Sequence, residues 1–215
     1  MKTYENYLFD ADGTLVDTID LIVDCFSYIT ARYAGRTPPR EVIVAGIGTP
    51  LVDQLTLHLG REFATQDVLD DYLAYQLRVM GDRVALFPGI AEGLRVLRQS
   101  GKKLAVVTAR RRFSLEIILR QTGIAQFFDV VVTPEDTGRH KPDPQPALLA
   151  MARLGADPAA TVMIGDAVHD ISCGAAAGID TVFVGWSHTD PSTLPLPSTW
   201  TIASMAELVD PVTGG

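Results

Sequence analysis

Short apolar runs rich in β-branched and aromatic residues recur along the chain and predict the strands of a sheet. Each run is short enough for one strand and lacks the polar alternation of a strand with a solvent-exposed face. Both faces of the sheet are therefore expected to be covered. The runs lie at residues 7–9, 104–107, 130–132, 162–164 and 182–184, with a last short strand near residues 200–202.

Helical patterns lie between the predicted strands from Gly89 onward. Apolar residues recur there at helical spacing over residues 90–97, 117–121 and 148–154. Strands that alternate with helices in this way are typical of a parallel sheet covered by helices. The sequence therefore predicts an α/β fold with a Rossmann-like, doubly wound parallel sheet.

The stretch between the first two long strands is far longer than one crossover helix requires. It contains apolar residues at helical spacing over residues 19–33, 52–59 and 69–80, which predict an inserted all-α subdomain. The predicted division is a Rossmann-like catalytic core of residues 1–16 plus 85–215 and a helical cap of residues 17–84.

The composition is that of an ordinary globular protein with an excess of acid. The chain has 215 residues, of which 47% are hydrophobic and 20% charged, and a formal net charge of -8. Polyanions are held largely through Lys and Arg, so neither nucleic acid nor a membrane surface is expected as a partner. No apolar run approaches the roughly 20 residues of a membrane span. We therefore expect a cytoplasmic protein, a monomer or homodimer, that acts on small soluble molecules.

Acidic residues follow two of the predicted strands. Asp10 and Asp12 come after the first strand, and Asp166 and Asp170 come after the run at 162–164. Either pair alone would be interpreted as ordinary turn chemistry. Together, at the ends of two strands, they would repel one another unless a cation joined them. Mg²⁺ is the natural candidate because it takes hard oxygen ligands and is commonly held by carboxylates plus substrate phosphate.

Two further side chains are expected at the same edge of the sheet. Thr108 ends the strand at 104–107, and ligands of open α/β sheets bind along the carboxyl edge that parallel strands share. A helix N-cap is an alternative role for Thr108. Lys141 precedes a proline, which favours extended backbone, ahead of a helix that starts near Pro144. These residues would add a hydroxyl and an ammonium group to the acids.

The acids, the threonine and the lysine follow the order of four motifs of a known superfamily. The chain has Asp10-Ala11-Asp12-Gly13-Thr14, then Thr108, then Lys141-Pro142, then Gly165-Asp166 with Asp170. In these motifs, and over nearly its whole length, it resembles a haloacid dehalogenase superfamily hydrolase. It most resembles the phosphoglycolate phosphatase and bacterial pyrophosphatase group, which has a helical C1-type cap. The resemblance implies a magnesium-dependent phosphatase that acts on a small phosphorylated metabolite.

The resemblance also implies roles for the motif residues. Asp10 would be the nucleophile that forms an aspartyl phosphate, and Asp12 the general acid and base. Thr108 and Lys141 would hold phosphate oxygens and offset their charge. The implied ligands of Mg²⁺ are Asp10, Asp12 through its main-chain carbonyl, Asp166, and Asp170 through water or by orienting the others.

The substrate contacts implied by the resemblance lie in the first two motifs and in a cap loop. Ala109 stands where the superfamily frequently has Asn or Ser, so one contact to phosphate is missing. A solvated arginine at a helix start is the favoured interpretation of Arg110, and compensation for the missing contact is the alternative. The candidate substrate contacts are Gly13, Thr14, Ala109, Arg110, Gly48 and Thr49.

Other activities of the superfamily fit this sequence less well. The dehalogenase branch lacks the second aspartate, and the phosphonatase branch needs a cap lysine, whereas no lysine lies between Lys2 and Lys102. The cap loop at 44–50 has no cation to hold the second phosphate of a β-phosphoglucomutase-like enzyme. A non-catalytic phosphate-binding protein would normally lose the nucleophile. We expect hydrolysis of a monoester such as 2-phosphoglycolate, with inorganic pyrophosphate as the alternative substrate.

Overall fold

Six parallel strands form the central sheet of the protein. The computed structural model describes residues 2–187, 189, 192, 194 and 196–209. The strands in chain order are β1 (Asn6–Phe9), β2 (Val16–Asp17), β3 (Ala85–Leu86), β4 (Lys103–Val107), β5 (Val130–Val132), β6 (Thr161–Gly165), β7 (Asp180–Val184) and β8 (Trp200–Ile202). The sheet has the order β5-β4-β1-β6-β7-β8, and each neighbouring pair is parallel. The predicted strands and the predicted α/β fold are confirmed.

Helices fill the connections between the strands. They are α1 (Ile19–Ala34), α2 (Arg40–Val44), α3 (Leu51–Leu59), α4 (Gln66–Met80), α5 (Ile90–Gln99), α6 (Arg112–Gln121), α7 (Gln145–Leu154), α8 (Val168–Ala176) and α9 (Ala206–Val209). All six helical patterns of the sequence analysis correspond to helices. The short α2 and α9 and the two-stranded ribbon of β2 and β3 were not predicted.

Both faces of the sheet are buried under helices. Successive side chains of a strand point to opposite faces, and those of β1 divide accordingly between two apolar clusters. Tyr7 and Phe9 belong to the larger cluster, which continues into α1, α3 and α4. Leu8 belongs to the smaller cluster, together with residues of α7 such as Ala147 and Met151. This two-sided burial explains why the strands are continuously apolar.

The inserted helices α1, α3 and α4 pack on one another through a shared aromatic group. The rings of His58 and Tyr72 each lie 5.1 Å from the ring of Phe26. The antiparallel pairs Val16–Leu86 and Asp17–Ala85 close the base of the insertion.

The division into a core and a cap at residues 17–84 stays a prediction. Part of the predicted core, residue 1 and residues 210–215, lies outside the residues that the structure describes. No helix in the described part is long and apolar enough to cross a membrane.

The order of the strands brings the candidate residues to one edge. β1 lies between β4 and β6, so Asp10, Thr108 and Asp166, which follow these three strands, become neighbours. The Asp10 N–H donates to the Ile164 carbonyl oxygen at 2.9 Å, so the hydrogen bonds between β1 and β6 continue as far as Asp10. The backbone therefore fixes where these three side chains start.

Close packing of α8 on the sheet generates a stability prediction. A Cβ on Gly174 would lie 2.6 Å from the Thr181 methyl and 2.8 Å from the Met163 Cβ. We expect Gly174→Val to lower the free energy of unfolding by about 3 kcal/mol, because overpacking a filled interior forces the backbone to shift. Urea denaturation of the two proteins measures the difference.

Gly138→Ala is the control, since a Cβ at Gly138 meets nothing within 4 Å. Its free energy of unfolding should stay within about 0.5 kcal/mol of the parent protein. Equal stability of the Gly174→Val protein and its parent would contradict the close contact between α8 and the sheet.

Candidate active site

Lys141 stands at the centre of a buried polar cluster. Its ammonium group donates to Asp10 Oδ1 at 2.7 Å and Asp170 Oδ1 at 2.6 Å, and to the Val107 carbonyl oxygen at 3.1 Å. All three N–H donors of the ammonium group are thus engaged, and the side chain is only 2% exposed. The lysine joins the ends of β1 and β4 to the start of α8.

Three carboxylates surround this single ammonium group. One oxygen from each of Asp10, Asp166 and Asp170 lies within 4.8 Å of the others, and all three residues are buried. Carboxyl groups outnumber Lys141 by three to one, so full ionisation of the cluster would leave negative charge that the lysine does not balance. An oxygen-only donor set with excess negative charge suits a hard divalent cation such as Mg²⁺. The predicted ligands Asp10, Asp166 and Asp170 therefore fit the ion, while the Asp12 side chain lies outside this group.

Burial controls the protonation of the cluster. It raises the pKa of Asp10 more than the attraction of Lys141 lowers it. Burial, together with the neighbouring Asp170 carboxylate, raises the pKa of Asp166 to about 7. Burial alone would lower the pKa of Lys141, but Asp10 and Asp170 raise it above its ordinary value. The lysine is therefore charged, and the carboxylates compete for protons until another cation joins them.

Asp166 is fixed by two hydroxyl groups. Thr14 Oγ1 donates to Asp166 Oδ1 at 3.1 Å, and Ser187 Oγ donates to Asp166 Oδ2 at 2.5 Å. Gly13 has a φ of 82°, and a Cβ there would lie 2.2 Å from Asp166 Oδ2. Gly13 and Thr14, predicted as substrate contacts, thus contact a candidate metal ligand. Sequence reasoning missed Ser187, although it follows β7, the neighbour of β6 in the sheet.

Asp12 is held apart from the carboxylate group by an arginine. Arg110 Nε lies 2.8 Å from Asp12 Oδ2, and Arg110 Nη2 lies 2.7 Å from Asp12 Oδ1. The Thr18 hydroxyl also donates to Asp12. The side chains of Arg110 and Asp12 are 5% and 12% exposed. The favoured interpretation of Arg110 as a solvated arginine is therefore wrong.

Thr108 shapes the turn that carries this arginine. Its hydroxyl accepts the Arg110 backbone N–H at 3.1 Å, and its side chain is buried. Arg111 occupies the N-cap position of α6, so Thr108 is not the cap. The turn brings Thr108, Ala109 and Arg110 to the wall of one cavity.

The cavity lies between the carboxyl edge of the sheet and the inserted helices. Asp10 and Asp12 form its floor on the sheet side, and Gly48 and Thr49 line it from the loop before α3. Its volume is about 50 Å³. The remaining wall is mostly apolar and includes Ile22, Phe26, Ile47, Leu51, Tyr72 and Leu73.

Arginines of the insertion are engaged away from the cavity. Arg36 donates to the His58 carbonyl oxygen, Arg40 pairs with Asp20, and Arg83 pairs with Asp24. None of these three lines the cavity in the part of the chain that the structure describes. The prediction of a cap loop without a cation is consistent with this wall.

His169 faces the same loop from the core. A Cβ on Gly48 would lie 3.4 Å from His169 Nδ1, and that nitrogen is buried without a hydrogen-bond partner among the described residues. Burial lowers the pKa of His169. Nδ1 of His169 therefore makes no structural hydrogen bond within the described part.

Known proteins resemble the chain in both sequence and structure. A profile of the haloacid dehalogenase-like hydrolase family matches residues 7–184. Pyrophosphatase PpaX of Bacillus velezensis is 35% identical over 187 residues, which cover 87% of this chain and 86% of that protein. A Bacteroides fragilis structure, provisionally named as a hydrolase of this family, has a TM-score of 0.88 at 28% identity and covers 96% of this chain and 100% of that one.

A second solved structure is similar over the same length. It is provisionally named as a phosphoglycolate phosphatase of Lactobacillus plantarum and has a TM-score of 0.80 at 26% identity, covering 97% of this chain and 99% of that one. Both structures extend over the inserted helices as well as the sheet. The resemblance that the sequence motifs indicated is confirmed.

The carboxylate cluster predicts pH-dependent metal binding. Below pH 7 a proton on Asp166 must leave before Mg²⁺ can bind, because the pKa of this carboxyl is about 7. We expect the affinity for Mg²⁺ to be at least about ten-fold lower at pH 5.5 than at pH 8, since each pH unit below a ligand's pKa costs up to a factor of ten. Isothermal titration calorimetry at the two pH values measures this difference.

Asp166→Asn provides the comparison, because it removes the titrating carboxylate and one ligand. Its binding should be weak at both pH values. Equal affinity of the parent protein at pH 5.5 and pH 8 would contradict competition between the proton and the metal.

Proposed function

This chain belongs to the haloacid dehalogenase-like hydrolase family, and we propose that it is a magnesium-dependent phosphatase that hydrolyses a small phosphate monoester through an aspartyl phosphate on Asp10. One observation carries the proposal. Asp10 lies within a group of three carboxylates around Lys141, and it also lines a cavity beside the separately held Asp12. A nucleophile, a cation site and a second acid thus meet at one place.

Lys141 prepares Asp10 for attack on phosphorus. Its 2.7 Å hydrogen bond fixes the rotation of the carboxylate, and its charge offsets part of the repulsion between that carboxylate and an anionic substrate. When bound, Mg²⁺ would be held by Asp10, Asp166, Asp170 and the Asp12 carbonyl, and would supply the positive charge that phosphoryl transfer requires. Thr108 lines the cavity and would hold a phosphate oxygen.

The reaction has two steps with balanced bonds and protons. A carboxylate oxygen of Asp10 forms a bond to phosphorus while the bond to the leaving oxygen breaks, and Asp12 gives that oxygen a proton. Asp12 then takes a proton from a water molecule that attacks phosphorus, and the bond between phosphorus and Asp10 breaks. Inorganic phosphate leaves, and both carboxyl groups return to their starting states.

The insertion supplies the enclosure for this chemistry. Ile47, Gly48 and Thr49 cover the cavity from the side opposite the sheet. Thr49 is itself fixed, since its carbonyl oxygen accepts a hydrogen bond from Gln54 Nε2 at 3.0 Å. A largely apolar wall lowers the local polarity and strengthens the electrostatic contacts beside it.

Hydrolysis of inorganic pyrophosphate is a second candidate function. It is favoured by the relative named pyrophosphatase PpaX, which is 35% identical to this chain over most of both proteins. The residues and the two steps would be the same, with inorganic phosphate as the leaving group. The small volume of the cavity suits either substrate.

The proposed mechanism predicts the consequences of removing the nucleophile. We expect turnover of p-nitrophenyl phosphate in the presence of Mg²⁺, and loss of turnover on the order of 10⁴-fold or more in Asp10→Asn, because a carboxamide cannot form the acyl phosphate. A chelator should abolish turnover in the parent protein. Asp67→Asn, an exposed change on α4, is the matched control and should retain full activity.

Beryllium fluoride should occupy Asp10 in the parent protein and not in Asp10→Asn, as fluorine-19 magnetic resonance can show. Turnover that persists in Asp10→Asn, at a rate near that of the parent, would overturn the aspartyl-phosphate mechanism.

The choice between the two substrates is a separate prediction. We expect kcat/KM for 2-phosphoglycolate or pyrophosphate to exceed the values for hexose phosphates and nucleotides by at least about 100-fold, because the cavity is small. A panel of these compounds, assayed by release of inorganic phosphate, measures the ratios. Conversion of glucose 1-phosphate to its 6-phosphate isomer, with a bisphosphate activator, would show a mutase instead.

A further inference from the structure

Arg110 has one nitrogen that its ion pair with Asp12 does not use. Nε and Nη2 both bond to Asp12, whereas the structure gives Nη1 no hydrogen-bond partner among the described residues. The side chain is only 5% exposed, and the residue lines the cavity next to Asp12. Nη1 is not among the side-chain atoms that are buried without a partner, so its two N–H donors keep access to solvent and are available to a ligand.

The rest of the cavity wall offers no comparable cationic donor in the described part. Arg111 also lines the cavity, but its Nε bonds to Glu135 at 2.9 Å, and its side chain is 36% exposed. Gln54 and Gln76 contribute neutral carboxamides, and the remaining wall of the insertion is mainly apolar. An anion that entered this space would therefore find its charge partner at Arg110.

We propose that Arg110 Nη1 binds an anionic oxygen of the leaving group while Nε and Nη2 keep hold of Asp12. The substrate class is then a phosphate compound whose leaving group carries a second oxyanion, either a phosphate or a carboxylate, close to the bond that breaks. The inference rests on the proposed function and extends it to substrate choice. Arg110 becomes a specificity-determining residue as well as a positioning residue for Asp12.

The shape of the guanidinium explains why one residue can serve both roles. Its five N–H donors lie in one plane in a fixed fork, so one edge can bind a carboxylate in two places while the outer nitrogen faces another acceptor. Asp12 is the proposed proton donor to the leaving oxygen. Arg110 therefore places the leaving group's second anion beside the acid that acts on its bridging oxygen.

A neutral leaving group is the competing occupant of this space. Gln76 Oε1 is buried without a partner among the described residues, and it could accept a hydroxyl hydrogen from such a group. The unused cationic nitrogen favours the anion, because hydrogen bonds between charged groups are roughly twice as strong as neutral ones. The two occupants predict opposite substrate preferences.

Matched substrates separate the two possibilities. We expect kcat/KM of the parent protein to be at least about ten-fold higher for 2-phosphoglycolate than for 2-hydroxyethyl phosphate, which has the same size but no carboxylate. Pyrophosphate compared with methyl phosphate tests a second phosphate in the same way. The pair whose ratio falls more in Arg110→Gln identifies the oxyanion, because the leaving groups of pyrophosphate and methyl phosphate also differ in intrinsic reactivity.

Variants assign the preference to Arg110. Arg110→Gln should lower the ratio within each pair by at least about ten-fold, mainly through a higher KM for the anionic member, because the lost hydrogen bond is made only by that member. Arg110→Lys, which keeps one positive charge, should recover part of the ratio. Arg120→Gln, at an exposed position of α6 away from the cavity wall, is the matched control, and its ratios should stay within about two-fold of the parent values.

A merely structural role of Arg110 would have a different signature. If Arg110→Gln lowers kcat/KM equally for both members of each pair, Arg110 only positions Asp12 and the inference is overturned. A parent protein that prefers 2-hydroxyethyl phosphate overturns it as well, and assigns the space to a neutral group.

Binding without turnover keeps this test independent of the proposed reaction. Calorimetry on the Asp10→Asn variant, with 2-phosphoglycolate and 2-hydroxyethyl phosphate as ligands, should show the same preference, and adding Arg110→Gln should remove it. Loss of hydrolysis in the parent with retained preference in binding would defeat the proposed function alone. Absence of any preference in binding would defeat the role of Arg110.

Discussion

A single ammonium group among three buried carboxylates is the constraint on which the site depends. Lys141 lies 2.7 Å from Asp10 and 2.6 Å from Asp170, and Asp166 completes the group. Buried like charges are costly unless cations balance them, so this cluster favours binding a proton or a divalent metal. A carboxylate can approach an anionic phosphate only when such positive charge is present. The same excess of negative charge therefore favours metal binding, and the bound cation would allow the proposed nucleophile to approach phosphate.

The strand order brings the carboxylates together, and glycines beside them leave room for their side chains. β1 lies between β4 and β6, which brings Asp10 next to Asp166. A Cβ on Gly165 would lie 2.2 Å from the Asp170 Cβ, and a Cβ on Gly13 would lie equally close to Asp166 Oδ2. Side chains at these two positions would push the carboxylates apart. The glycines beside the acids are therefore as necessary to the geometry as the acids themselves.

Features with a periodic or local signal could be predicted from the sequence, and features that depend on packing could not. The strands of the sheet and the longer helices followed from apolar spacing, and the grouping of Asp10, Asp166, Asp170 and Lys141 followed from motif order and a shared sheet edge. Helix α2, with five residues, is too short to show a period. The burial of Arg110 depends on the inserted helices that cover it, and so on contacts between distant parts of the chain. Ser187 has no motif around it, and only the adjacency of β6 and β7 connects it to Asp166.

The site has two sides with different electrostatic character. On one side, the carboxylates and Lys141 form a cluster whose residues are determined by the family's motifs and which suits any phosphoryl group. On the other, Asp12 is tied to Arg110 under an apolar wall supplied largely by the insertion. Asp12 lies between these two sides of the site. Its proposed proton transfer to the leaving oxygen therefore links the phosphoryl chemistry of the cluster to the choice of leaving group. Substrate choice can change through Arg110 and the cavity wall without disturbing the cluster that would capture phosphorus.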